Sequence, residues 1–189
     1  MAVGVLAVQG AVREHLEALQ RVGADAQPVR TPEEIAVCEA LILPGGESTT
    51  IGKLMDRYGL LQPVTDFVAS GKPLLGTCAG MILMAKKVGA AGEDQPSLAV
   101  MDITVERNAF GRQIDSFEAD LDVEGIDGPS IRAVFIRAPI IMAVGPEVQV
   151  LARHNGHVVA ARQGRMLALS FHPELTSDSR IHQYFLSMR

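Results

Sequence analysis

One cysteine of the chain lies between two glycines, where an apolar run ends: Cys78 in "PLLGTCAGMILMA". Gly-x-Cys-x-Gly after a buried strand and before a helix is the cysteine form of a nucleophile elbow, a turn so tight that side chains at the flanking positions would collide. The following helix N-terminus carries partial positive charge, which favours the thiolate. Because free cysteines are often only small buried side chains, the elbow alone leaves a nucleophile and a packing residue equally open.

A second reactive group stands at the end of another apolar strand, in "MLALSFHPEL". A thiolate that attacks an acyl carbon needs a base that can later protonate the leaving group, and His172 is of the right type. Residues two apart share one face of an extended segment, so Glu174 can hold one ring nitrogen of His172 while the other faces Cys78. Since strand-end motifs meet at the carboxyl edge of a parallel sheet, the sequence predicts a Cys-His-Glu triad there.

A third segment, "LILPGGESTT", also follows a strand directly. An oxyanion that develops on an acyl group needs backbone N–H donors, and we predict those of Gly46 and Ala79. The competing interpretation is a phosphate-binding loop. The spacing excludes it, because Glu47 stands five residues before Gly52, and Leu54 stands where such a loop needs Ser or Thr.

These groups must be positioned by a sheet, and the first half of the chain alternates short apolar runs with helical patterns, as β-α-β units do. Strands are predicted at 3–8, 40–43 and "KPLLGT", and Thr31 with Glu34 has the pattern of a capping box at a helix start. The helix after Cys78 is predicted to extend to a positively charged end at Lys86, Lys87 and Gly89.

Beyond residue 97 strands dominate: "AVMDITVE", "SFEADLDVE", "IRAVFIRA", "EVQVLAR", "HVVAARQ" and "MLALSF". Asn155-Gly156 predicts a two-residue hairpin turn, and Ile181, Tyr184 and Phe185 share one face of a closing helix. We therefore expect one domain over residues 1–189, of the α/β class. Its architecture would be a three-layer sandwich around a mainly parallel central sheet, with a strand-rich C-terminal half.

Composition narrows the function classes. The chain has 189 residues, 48% of them hydrophobic, which is enough for a real core, and its net charge is -5. That charge favours neither a nucleic acid nor an anionic membrane as partner. Two distant cysteines suit a reducing compartment, and the N-terminus lacks the pattern of a signal peptide, so a cytoplasmic location is expected.

The chain resembles the triad-type, or class I, glutamine amidotransferases, which have a flavodoxin-like fold, and within them the glutaminase subunits of pyridoxal 5'-phosphate synthase. The resemblance spans nearly the whole chain and rests on "VLAVQGAVREH", "LPGGESTTIGKL", "GTCAGMILMA", "MDITVERNAFGRQIDSFE", "VFIRAP" and "LSFHPELTSDSRIHQYFL". The elbow and His-x-Glu belong to the wider superfamily, whereas "ERNAFGRQ" and "FIRAP" single out the narrower family.

The resemblance implies roles for individual residues. Cys78 would be the nucleophile, His172 the general base and acid, and Glu174 its orienting partner. The residues implied to contact L-glutamine are Gly46, Glu47, Ser48, Arg107, Ile136 and Arg137. It further implies that no metal or organic cofactor takes part, and that ammonia passes to a separate synthase subunit in a hetero-oligomeric complex.

Three other functions remain open at this point. The chain could be a glutaminase that serves a different synthase, such as that of histidine biosynthesis, or a cysteine hydrolase with another amide substrate. "ERNAFGRQ" and "FIRAP" argue against both. It could also be a catalytically silent subunit that only assembles or regulates the synthase, against which the complete set of Cys78, His172 and Glu174 argues.

Overall fold

The computed structural model describes residues 2–89, 95–107 and 116–188. Positions 108–113 of the "ERNAFGRQ" motif lie outside the described residues. The strands are Ala2–Leu6 (β1), Asp25–Val29 (β2), Ala40–Leu43 (β3), Leu74–Thr77 (β4), Ala85–Val88 (β5), Met101–Glu106 (β6), Ser116–Leu121 (β7), Ile131–Ile136 (β8), Ile140–Val144 (β9), Gln149–His154 (β10), His157–Gln163 (β11) and Met166–Leu169 (β12). The α-helices are Val12–Arg21 (α1), Pro32–Ala36 (α2), Ser48–Arg57 (α3), Leu61–Ala69 (α4), Ala79–Met84 (α5) and Arg180–Ser187 (α6), and Pro173–Leu175 forms a 3₁₀ turn.

The central sheet has the strand order β2-β1-β3-β4-β12-β11-β9-β6-β5, with β10 paired to β11. The strands from β2 to β12 run parallel to their neighbours, in the order expected of a doubly wound sheet. From β12 to β6 the pairing is antiparallel, as the strand-rich second half predicts. The parallel part therefore brings the carboxyl ends of β1, β3, β4 and β12 to one edge.

Two hydrophobic cores cover the two faces of this sheet. Successive residues of β3 alternate between them, because side chains along a strand point to opposite faces: Leu41 and Leu43 join one core, Ala40 and Ile42 the other. The first core packs against α2 to α5, and the second against α1, α6 and the separate β7–β8 pair. This is the predicted three-layer α/β architecture.

Two local predictions are confirmed. Thr31 accepts the backbone N–H of Glu34, and the Glu34 carboxylate accepts the backbone N–H of Thr31, which makes the capping box at the start of α2. Asn155 and Gly156 have φ of 49° and 82°, and His154 pairs with His157 across them. Positive φ at both central residues is what a two-residue hairpin turn between twisted strands requires.

The predicted extension of the helix after Cys78 is wrong. Helix α5 ends at Met84, and Ala85–Val88 form strand β5, which lies parallel to β6. Lys86 pairs with Asp102 of β6 at 3.2 Å instead of neutralising a helix end. Because every residue of α5 is buried, the segment has no polar face whose period could have shown where the helix ends.

Candidate active site

Cys78 lies at the sharp turn between β4 and α5, with φ 49° and ψ -102°. A Cβ placed on Gly76 would stand 2.7 Å from the carbonyl carbon of Gly80, and a Cβ placed on Gly80 would overlap the Leu43 carbonyl oxygen. The two glycines are therefore needed because the backbone of the turn and of β3 fills the space of their side chains. Positive φ at a non-glycine residue is strained, and such strain concentrates at functional sites.

His172 follows β12 and lies beside Cys78. Its Nδ1 contacts Glu174 Oε1 at 2.7 Å, which leaves Nε2 for the hydrogen bond with Cys78. The His172 backbone N–H donates to the Val134 carbonyl of β8 at 2.9 Å, which fixes the turn. The imidazole also lies against Gly45, where a Cβ would stand 2.9 Å from Nδ1.

The electrostatics of the pair favour a charged imidazole. Burial lowers the pKa of His172, but the hydrogen bonds and charges of Cys78 and Glu174 outweigh it and raise the pKa to about 10. Burial likewise raises the pKa of the Glu174 carboxyl, and the neighbouring His15 and His172 rings more than offset it, so the pKa lies below its usual value. The raised pKa makes His172 an imidazolium at neutral pH, with its charge beside the Glu174 carboxylate and the Cys78 sulfur.

The loop after β1 holds the segment around Gly46, for which the sequence predicts an oxyanion donor. The Gly45 carbonyl accepts the Ala11 N–H at 2.9 Å, and the Glu47 N–H donates to Gln9 Oε1 at 3.0 Å. The Gly45–Gly46 peptide is trans, so the Gly46 N–H points away from the Ala11 amide. Ala79 is the first residue of α5, and its N–H is one that bonds within a helix leave free.

The Glu47 side chain has a structural task of its own. Its carboxylate caps α3 by accepting the backbone N–H groups of Thr49 at 3.0 Å and Thr50 at 2.8 Å, and the Thr50 hydroxyl at 2.6 Å. The hydroxyl bond of Thr50 and then the backbone bonds lower the pKa of Glu47 to about 2, against a smaller opposing effect of burial. Arg107 pairs with the same carboxylate at 3.5 Å and donates to Thr49 Oγ1 at 3.3 Å.

The end of β8 completes the wall opposite the elbow. The Ile136 carbonyl oxygen lies 3.9 Å from Cys78 Sγ. The next residue, Arg137, is exposed and has φ 42°, a second strained position at the site. Ile136 therefore reaches Cys78 from a strand of the other half of the chain, and Arg137, directly after that strand, lines the same cleft.

These segments enclose a cleft of about 530 Å³. That volume falls in the ~300–1,000 Å³ range of small-molecule sites. The predicted site residues that line it are Cys78, His172, Gly46, Glu47, Ser48, Arg107, Ile136 and Arg137. Glu174 is buried behind His172, and Ala79 is buried at the start of α5. Thus all the predicted site residues gather at the carboxyl edge of the parallel strands.

Sequence reasoning did not assign the loop after β1 to the site. Gln9, Gly10, Ala11 and Glu14 also line the cleft. Gly10 has φ 113°, and a Cβ there would collide with the Gly45 carbonyl. The signal that could have found this loop is its position at the carboxyl end of a parallel strand.

The fold and the cleft together define the class of protein. A doubly wound α/β sheet with a cysteine elbow and a His-x-Glu turn at its carboxyl edge is the architecture of the class I glutamine amidotransferase-like proteins. The model of the SNO glutamine amidotransferase family matches residues 5–189, and the chain belongs to this family.

Individual relatives agree with this assignment. The chain is 57% identical over 188 residues to "Pyridoxal 5'-phosphate synthase subunit PdxT" of Niallia circulans, covering 100% of this chain and 97% of the relative. A crystal structure described as a glutamine amidotransferase superposes with TM-score 0.94 at 53% identity, covering 98% of this chain and 97% of the other. A structure of PurLQS from Thermotoga maritima, at 17% identity, TM-score 0.69 and coverage of 98% and 97%, shares the fold.

Two further features concern metal ions and membranes. Within 2–89, 95–107 and 116–188, no group of three or more His, Cys, Asp and Glu side chains is arranged to hold a metal ion. Over the same part of the chain, no helix has the length and apolar character needed to cross a membrane.

Proposed function

We propose that this chain hydrolyses L-glutamine to L-glutamate and ammonia through a thioester on Cys78, and that it delivers the ammonia to a separate synthase subunit that makes pyridoxal 5'-phosphate. The observation that carries the chemistry is the contact of His172 with both Cys78 and Glu174 at the wall of the cleft. The name shared by the relatives at 53–57% identity supports the choice of synthase.

In the first half-reaction, the Cys78 thiolate attacks the carboxamide carbon of glutamine. The Gly46 and Ala79 N–H groups stabilise the oxyanion of the tetrahedral intermediate. His172, held as imidazolium by Glu174, gives its Nε2 proton to the departing nitrogen, and ammonia leaves as the thioester forms. The raised pKa of His172 supports this assignment, because the proton is in place before the leaving group needs it.

In the second half-reaction, neutral His172 takes a proton from water, which attacks the thioester carbonyl. The tetrahedral intermediate collapses, the C–S bond breaks, and the Cys78 thiolate and the imidazolium are restored. The product leaves as glutamate, and the proton of its new carboxyl group passes to solvent. Glu174 remains ionised throughout and only orients the ring and stabilises its charge.

The free amino acid ends of glutamine require charged partners. Arg107 and Arg137, both at the cleft, are the candidates for the substrate carboxylate. The Glu47 carboxylate is already engaged as the cap of α3, and the Glu47 N–H donates to Gln9. We therefore assign Gly46, Glu47 and Ser48 to the substrate as residues that line the cleft, and not through the charge of Glu47.

The test is glutamate release by the purified chain, alone and with the synthase subunit of the same organism, across glutamine, asparagine and γ-glutamyl amides. We expect glutamine to be preferred, release to rise when the synthase subunit is added, and pyridoxal 5'-phosphate to form from glutamine. Release that is unchanged by the synthase would point to a differently partnered amidase. No release under either condition would point to a silent regulatory subunit.

A further inference from the structure

A buried polar group lies behind the triad, on the side away from the cleft. His15 of α1, His182 of α6 and Thr77 of β4 all have 0% exposure. His15 Nδ1 lies 3.2 Å from His182 Nε2, and His15 Nε2 lies 3.1 Å from Thr77 Oγ1 and 3.5 Å from Glu174 Oε2. Because buried polar groups cost free energy unless they are paired, the position of each in this group needs an explanation.

The hydrogen-bond directions in this group follow from its geometry. If His15 carries its proton on Nε2, that N–H donates to Thr77 Oγ1 and faces Glu174 Oε2, and Nδ1 accepts the N–H of His182 Nε2. His182 Nδ1, which has no hydrogen-bond partner among the described residues, is then a bare lone pair. In the opposite tautomer His182 Nδ1 would be an unpaired N–H donor and the His15 lone pair would face the Glu174 carboxylate, both of which cost more.

These hydrogen-bond directions require the imidazole rings of both His15 and His182 to be neutral. Burial lowers the pKa of His15 against the opposing charge of Glu174, with smaller effects of His172 and Glu14. Burial, and then the His15 charge, lower the pKa of His182 to about 3, with Glu174 opposing and Arg21 adding to the shift. These are the charged and titratable groups that face the two rings.

We propose that His15 is a positioning residue of the triad: its Nε2–H, 3.5 Å from the second carboxylate oxygen of Glu174, stabilises the negative charge on that oxygen, and His182 selects the tautomer that makes this possible. The inference rests on the triad proposed above. His15 does not line the cleft, so it acts only through Glu174 and through Thr77, the residue before the nucleophile. One ring thereby ties α1, the elbow and the His-Pro-Glu turn together.

Among the described residues Glu174 Oε2 makes no hydrogen bond, and the His15 Nε2–H is a polar group that faces this buried oxygen at 3.5 Å. Without His15, the oxygen loses that polar contact. The carboxylate would then bind a proton more readily and could rotate away from His172 Nδ1. Both changes weaken the imidazolium that holds the Cys78 thiolate. Loss of His15 should therefore change the pH range over which Cys78 reacts, as well as the rate of its reaction.

Two substitutions of His15 distinguish the roles of its two ring nitrogens. In His15→Gln the amide nitrogen can occupy the place of Nε2 and still present an N–H to Glu174. In His15→Asn the shorter side chain can reach His182 but not Glu174. His157→Gln, on the exposed hairpin, is the matched control. Each variant is assayed for glutamate release with the synthase subunit, and for alkylation of Cys78 by iodoacetamide from pH 5 to 10.

For His15→Asn we expect kcat/KM to fall about 10–100-fold, the usual loss when a residue supporting a reactive group is changed. We also expect the acid limb of both pH profiles to move to higher pH, because Glu174 then binds a proton more readily and the imidazolium is weaker. His15→Gln should keep the wild-type profile and most of the activity. A wild-type profile in His15→Asn, or an equal loss in both variants without a shifted limb, would overturn the proposal in favour of packing alone.

The two readouts keep this inference separate from the proposed function. If the wild type releases no glutamate, the glutaminase proposal fails. The alkylation profile still tests His15, because it follows the thiolate without any substrate. If the wild type is active and only the profiles of the variants are unchanged, the His15 proposal alone fails.

Discussion

Replacement of Gly80 by alanine should distort the nucleophile elbow by a predictable amount. The new Cβ would overlap the Leu43 carbonyl oxygen and stand 2.9 Å from its carbon. Because carbon atoms pack at about 3.5–4.0 Å, the contact with the carbonyl carbon alone requires α5 or the end of β3 to move by about 0.6–1.1 Å, and the closer contact with the oxygen requires at least as much. Both atoms belong to the backbone and not to a flexible side chain that could turn away, so the backbone at Cys78 has to move.

The expected losses follow from that displacement. Overpacking of this kind costs about 1–3 kcal/mol, and in a chain of this size each kcal/mol lowers Tm by about 2–4 °C. A misplacement near 1 Å at reacting atoms costs about 10²-fold in rate. We therefore expect Gly80→Ala to lower Tm by several degrees in thermal unfolding, and to lower kcat/KM for glutamate release about 100-fold.

Gly59→Ala provides the matched control for this experiment. A Cβ on Gly59 meets nothing within 4 Å, but its φ of 65° strains an alanine. It should cost about 1–2 kcal/mol in stability without changing the reactivity of Cys78. A Gly80→Ala variant with wild-type Tm and kcat/KM would refute the account of the elbow.

Two further substitutions test the electrostatics. Glu174→Gln should lower kcat/KM at least about 10²-fold and should lower the pKa of His172 from about 10, followed by NMR of the ring Cε1–H; an unchanged titration would mean that Glu174 does not hold the imidazolium. Glu47→Ala should cost about 1 kcal/mol of stability at pH 7, because α3 loses its cap. The folded pKa of Glu47, about 2, lies below its ordinary value of 4.5, so this stabilisation is complete above pH 4.5 and is lost as the pH falls toward 2. The Tm difference between wild type and Glu47→Ala should therefore narrow below pH 4.5, and a constant gap down to pH 2 would contradict the capping role.

The parts of the site that sequence could predict are those with local causes. Gly76 and Gly80 mark a turn that other residues cannot make, and the spacing of His172 and Glu174 places both on one face. Parallel strands then bring both motifs to one sheet edge whatever their separation in sequence. The fold class and the triad could therefore be predicted together.

The parts that sequence could not predict depend on partners far along the chain. Strand β5 forms because Ala85–Val88 pairs with β6, and no pattern within those four residues requires it. Strand β2 contains Pro28 and lies at the edge of the sheet, where a missing N–H is tolerated. His15 and His182 are 167 positions apart, so only the packed structure brings their rings together.

The most direct test of the central claim is detection of the glutamyl thioester. The chain is mixed with isotope-labelled glutamine and the synthase subunit and quenched in acid, and its peptides are analysed by mass spectrometry. The account predicts a labelled glutamyl adduct on the peptide that contains Cys78, and neither adduct nor glutamate release in Cys78→Ala. Glutamate release that persists in Cys78→Ala, or turnover with the label on another residue, would contradict it.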